Sequence, residues 1–197
     1  MPSPTKTINM INAHIVDPVN LGLTATLPSG ISGTINHSAK TGMIHTKIVT
    51  TAALTLVSSV DNAAKGGGIK IFDFPLCRVV PMARRIKGTL GFSGATMSST
   101  AGEIGLGSVV ASGAIATFTT ATFDNILEGS NPDLGNIAAA GTTAVITGDS
   151  SRADIGDFAT AVDLYINACS TFADATAENL VLASGAIIEL WWIGINE

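Results

Sequence analysis

Four groups of residues in this chain could do chemistry: three histidines, an acidic run near residue 150, two glycine-rich stretches and one knot of arginines. A transition-metal site would pair histidines at i, i+4 or space them with cysteines. His14, His37 and His45 are instead scattered, so no metal is expected. Asp149, Asp154 and Asp157 offer the hard oxygens that calcium takes, but their spacing is not that of an EF-hand loop, and a solvated acidic loop is the expectation. The run Lys65-Gly-Gly-Gly-Ile-Lys70 could lend backbone N–H groups to a phosphate. It lacks the spacing of a P-loop and no helix follows it, so it reads as a hairpin turn. Gly105-Leu-Gly107 has Val110 where a dinucleotide fingerprint needs glycine. No G-x-S-x-G elbow marks a nucleophile. These residues nominate no catalytic, cofactor-binding or metal-binding set, and the expected protein is not an enzyme.

Arg78, Arg84, Arg85 and Lys87 form the basic cluster. Nucleic-acid binding would call for a basic chain with interleaved aromatics. Here the net charge is −5 and aromatics are 5%. The cluster therefore reads as the solvated face of a strand, with contact to an acidic protein surface as the nearest functional use. The charge is unevenly spread. Residues 1–100 hold nine Lys or Arg against three Asp, whereas residues 101–197 hold only Arg152 against twelve Asp or Glu. Such halves can pair within one domain, or let the basic part of one copy meet the acidic part of the next.

At 197 residues the chain fits one domain with length left for an arm, and it can bury a core without staples. Mean hydropathy is +0.44, and 104–123 is an uncharged run. That run carries three Gly and six Ser or Thr and no flanking basic cluster, so it reads as two strands rather than a membrane span. The first residues contain no apolar core of a secretory signal. Cys77 and Cys169 are then expected as free buried thiols, with a disulfide as the alternative, and the Asn36-His-Ser38 sequon carries no meaning.

The elements implied are strands. Residues 1–42 read as an extended arm, because Pro2, Pro4, Pro18, Pro28 and several glycines forbid a long helix while Ile8, Met10, Ile11, Ile15 and Val16 are too apolar for a solvated tail. From 43 to 197 the pattern is β. Strands are expected over 44–49, 52–58, 69–74, 84–93, 104–110, 114–119, 142–147 and 161–168, with a turn over 61–68 and a short helix over 122–128. The last stretch, 180–195, reads as one long strand. Leu190 and Trp192 share its core face with Ile188, and Trp191, Ile193 and Ile195 make the opposite face apolar too. Val162, Leu164 and Ile166 are expected in the same core. The fold class is all-β, a jelly-roll-like β-sandwich with an extended N-terminal arm. The second apolar face, led by Trp191, is expected to be covered by a second sheet, an arm or a neighbouring subunit, the neighbour favoured.

Four segments carry a resemblance: Lys70-Ile-Phe-Asp-Phe-Pro75, Ile86-Lys-Gly-Thr-Leu-Gly-Phe92, Asp163-Leu-Tyr-Ile-Asn167 and Ile188-Glu-Leu-Trp-Trp-Ile-Gly-Ile-Asn196. Together they resemble small virion proteins of tailed bacteriophages, of the capsid decoration or cement type, over roughly residues 47–197. The resemblance implies a structural protein that binds the major capsid protein lattice on the capsid exterior and stabilises the head. It also implies self-association, a trimer favoured over a dimer, synthesis in the host cytoplasm, and no nucleic-acid or membrane partner. It carries no catalytic residues. The rival readings are a fibre or tail-associated module and a carbohydrate-binding jelly roll; Trp191, Trp192 and Tyr165 are few for the aromatic platform the latter needs.

Overall fold

In the computed structural model the described residues are 29–37, 42–59, 63–93, 102–130, 142–148, 155–156, 159–172 and 178–195. They form eleven strands: β1 (Ile31–His37), β2 (Ile44–Thr50), β3 (Leu54–Ser59), β4 (Ala64–Asp73), β5 (Arg78–Ser93), β6 (Gly102–Gly107), β7 (Leu127–Ser130), β8 (Thr142–Gly148), β9 (Asp163–Thr171), β10 (Glu178–Leu182) and β11 (Ile187–Ile195). Every pairing is antiparallel.

The first sheet runs β1-β2-β11-β5-β10-β3, with β8 on the far side of β5; the second runs β4-β9-β6-β7. β10 and β11 are two halves of one line, since Leu182 pairs with Leu90 of β5 and Ile187 with Lys87 of the same strand. β2 and β3 likewise lie end to end against them. The described strands thus make eight principal lines plus β1. Numbered in chain order, they run 1-8-3-6 in the first sheet and 2-7-4-5 in the second, the nesting of a jelly-roll sandwich.

The long final strand is broken because Ala183–Ala186 bulge opposite Gly88 and Thr89, and Gly185 takes φ +83 there. Thr50 locks the break. Its hydroxyl donates to the Ala183 carbonyl at 2.8 Å and accepts from the Ala186 N–H at 2.9 Å, while Gly185 N–H donates to the Thr50 carbonyl at 2.7 Å.

The core lies between the sheets. Leu164 and Ile166 of β9 meet Ile188, Leu190 and Trp192 of β11 there, with Val162 packed at its edge. Phe74 makes edge-to-face contacts with both Phe72 and Trp192, at 5.2 Å in each case. The Trp192 indole N–H, fully buried, donates to the Thr46 hydroxyl at 3.0 Å.

Several local expectations are corrected. The glycine run is not a turn but the middle of β4, paired residue by residue with β9. A Cβ on Gly67 would stand 2.5 Å from the Leu56 carbonyl of the facing sheet, and one on Gly68 would stand 2.0 Å from Asn167 Oδ1. Glycine is there for close approach, not for bending. Residues 114–119 are not a strand; they belong to a loop, 108–126, that lies over the outer face of the second sheet. The short helix expected at 122–128 is a 3-10 turn at Ala121–Phe123 followed by β7. Residues 31–37, read from sequence as part of the arm, are the edge strand β1; residues 1–28 lie outside the described residues. Cys77 and Cys169 are both free and buried.

Candidate interaction face

The outward side of the first sheet is built from three adjacent strands. Alternation on β11 sends Ile188, Leu190 and Trp192 inward, and so sends Ile187, Glu189, Trp191, Ile193 and Ile195 outward. Register then adds Val49, Lys47 and His45 from β2 and Lys87, Arg85, Ala83, Val80 and Arg78 from β5 to the same face. The register slips by one residue at Met82 of β5, opposite the Trp191–Trp192 step, leaving that side chain 41% exposed.

At the centre of this face sits a row of three charges, Lys47, Glu189 and Arg85, one from each strand. Glu189 is only 7% exposed, a low value for a carboxylate on an outward face. It is held there by an ion pair with Arg85 and by His45, whose Nε2 lies 3.3 Å from Glu189 Oε1. His45 also stacks flat on Trp191, with ring centroids 4.5 Å apart and planes 4° from parallel. The indole thus lies flat on the imidazole, beside the Glu189–Arg85 pair, and the face presents an aromatic–aliphatic strip flanked by cations. Ile187, Trp191, Ile193 and Ile195 along that strip are each half-buried.

The basic cluster is divided by this geometry. Arg78, Arg85 and Lys87 point outward, whereas Arg84 is turned into the core, 2% exposed, and its Nε donates to the Ile126 carbonyl. The expectation of one solvated basic face fails at Arg84, because strand alternation places it with Ile86 rather than with Arg85.

The second sheet pairs two of the four resembled segments, Lys70–Pro75 leaving β4 and Asp163–Asn167 on β9. Lys70 of β4 bridges Asp73 and Asp163 of β9, the latter at 2.9 Å, and the Tyr165 hydroxyl donates to Asp163 at 2.9 Å. The two carboxylates raise the Lys70 ammonium above its usual range. Burial pushes the Asp163 carboxyl up, but its contacts with Asp73, Lys70 and Tyr165 prevail and hold it below the ordinary carboxylate range. Burial, then the neighbouring Asp163, raises the Tyr165 phenol. Asn167 is wholly buried under the 108–126 loop. Its amide donates to the Val109 and Phe123 carbonyls at 2.8 and 2.7 Å and its carbonyl accepts from Ala111 N–H at 2.9 Å. Polar residues in the Asp163–Asn167 segment thus anchor structure.

The other residues singled out by sequence are dispersed. His45 lies on the first sheet's outer face, and His37 ends β1. His14, Asp149, Asp154 and Asp157 lie outside the described residues. Among the described residues, no three of His, Cys, Asp and Glu gather into a group that could hold a metal ion, and no helix is long and apolar enough to cross a membrane. Burial pushes the Cys77 thiol up to about 11 and that of Cys169 up to about 12. A shallow cleft of about 240 Å³ opens at the β10–β11 bulge, lined by Lys87, Thr89, Ser184 and Gly185 among others. The Glu189–Arg85–His45 arrangement was not legible as a site in the sequence; the one signal was a single charge, Glu189, in an otherwise apolar run. Comparison with family models, curated proteins and solved structures yields no match.

Proposed function

We propose that this chain is a virion structural protein that binds the major capsid protein lattice of a tailed bacteriophage from outside, as a small oligomer, a trimer favoured, and reinforces the head. The observation that carries the reading is the outer strip of β11, where Trp191 stacks on His45 between cations of β2 and β5 and gives the chain a surface for assembly with further copies of itself. An aromatic strip with a charged border suits contact with another protein, since aromatic and arginine side chains anchor such contacts. The resemblance of the segments at Lys70, Ile86, Asp163 and Ile188 to decoration proteins supplies the choice of virion and capsid. A jelly-roll sandwich suits the role mechanically, because its backbone hydrogen bonds are spent within two curved sheets. The half-buried, histidine-covered Trp191 argues against a free aromatic platform for sugars.

Quantitative mass spectrometry of purified particles, with heads separated from tails, tests the proposal. The chain is expected on heads in copy numbers on the scale of the capsid lattice. Its presence on tails alone would move it to the fibre or tail-associated class, and its absence from particles would overturn the reading.

A further inference from the structure

Among the described residues, the two outward sides of the sandwich carry opposite charge. On the first sheet, Lys47, Arg78, Arg85 and Lys87 surround one carboxylate, Glu189, which is already paired with Arg85. On the second, Asp73 and Asp163 share the uncovered end of the outer face with Lys70, while Glu103 lies under the 108–126 loop, where it accepts from Phe118 N–H, and Asp124 lies in that loop. Asp73 and Asp163 remain 47% and 34% exposed at their side chains, open to a further cation.

Charge of this kind decides how copies can meet. Two first-sheet faces placed together around a two-fold axis would bring Lys47, Arg85 and Lys87 against their own images, and like charges in register oppose such a contact. A first-sheet face laid on the second-sheet side of another copy sets cations against carboxylates and covers Ile187, Trp191, Ile193 and Ile195. We infer that the Trp191 face binds the Asp73–Asp163 side of a second copy of this chain, head to tail. Contacts of this heterologous type close into rings when the rotation between copies allows. The inference goes beyond capsid decoration and stands without it, because the contact is between copies of the chain alone.

Sedimentation velocity on the purified full chain tests it, with two variants whose changes lie at the surface: Lys47→Glu/Lys87→Glu and Asp73→Lys. The wild-type chain is expected to associate, with affinity falling about ten-fold or more between roughly 50 and 500 mM salt as screening shortens. Each variant alone is expected to sediment as a monomer with a wild-type circular dichroism spectrum, and an equimolar mixture to form complexes containing both chains. A wild-type chain that stays monomeric at both salts, a variant that associates as well as wild type, or a mixture that stays monomeric would each overturn the contact. Particle mass spectrometry separates this from the functional reading. A monomeric chain found on heads removes the head-to-tail contact and the oligomer, and leaves decoration by single copies standing; an associating chain absent from heads removes decoration and leaves the contact.

Discussion

The side-chain amide of Asn167 lies 2.7 Å from the carbonyl of Phe123, 44 positions earlier in the chain. With its bonds to Val109 and Ala111, this one residue closes the account of three backbone groups in a loop that has no ladder of its own. The loop in turn buries the outer face of β9, and so makes Cys169 and Asn167 interior residues on what alternation alone would leave as a wet face.

Asn167→Ala is therefore expected to destabilise the fold by about 2–5 kcal/mol, since three buried backbone groups lose their partner. Chemical denaturation measures the loss. Hydrogen exchange should localise the loosening to the amides of Ala111 and its neighbours; unchanged exchange there would show that the loop holds by other means.

Glycines of β4 make a second expectation. Gly67→Ala places a methyl group 2.5 Å from the Leu56 carbonyl, backbone that cannot step aside without parting the sheets. A loss of about 2–4 kcal/mol is expected, beyond the usual cost of overpacking because the obstacle is main chain. In the hairpin-turn reading the same change would be nearly neutral, so the thermal midpoint of one variant decides between them.

These two sites mark the limit of what the sequence shows. Period-two alternation identified the core faces of β9 and β11, because Leu164, Ile166, Ile188, Leu190 and Trp192 face one interior whatever lies outside it. The same logic failed where a residue answers to a distant neighbour. Three consecutive glycines look like a turn until Leu56 and Asn167 are known to press on them. Residues 114–119 look like a strand, yet they are held as a loop by Glu103, which accepts from Phe118 N–H, and by contact of Ile115 with the Gly66 backbone. The break at Ala183–Ala186 was signalled only by Ser184 and Gly185, and its lock, Thr50, is 133 positions from the carbonyl it binds. The charged row across Lys47, Glu189 and Arg85 depends on register between three strands that are remote in sequence.

Acid sensitivity should trace in part to Asp163. Its folded pKa is lowered, so its contribution to stability is present above the unfolded value of about 3.9 and is lost as pH falls through the folded value. Asp163→Asn should thus lower stability at neutral pH and flatten its fall below about pH 4. Thermal midpoints measured across that range check this; a slope as steep as wild type would mean that other carboxylates carry the acid response. The side chain is about a third exposed, so the effect is screened and modest.

The central claim is that the Trp191 face is a contact surface rather than a face closed by its own chain. Trp191→Ala, followed by thermal denaturation and sedimentation velocity on the same sample, tests it most directly. Trp191 is half-buried and packed mainly on His45, so the midpoint is expected to fall by only a few degrees, about 1 kcal/mol, while association between copies is lost. A fall equivalent to about 3–5 kcal/mol with association unchanged would contradict the claim, because that is the signature of a tryptophan removed from a core.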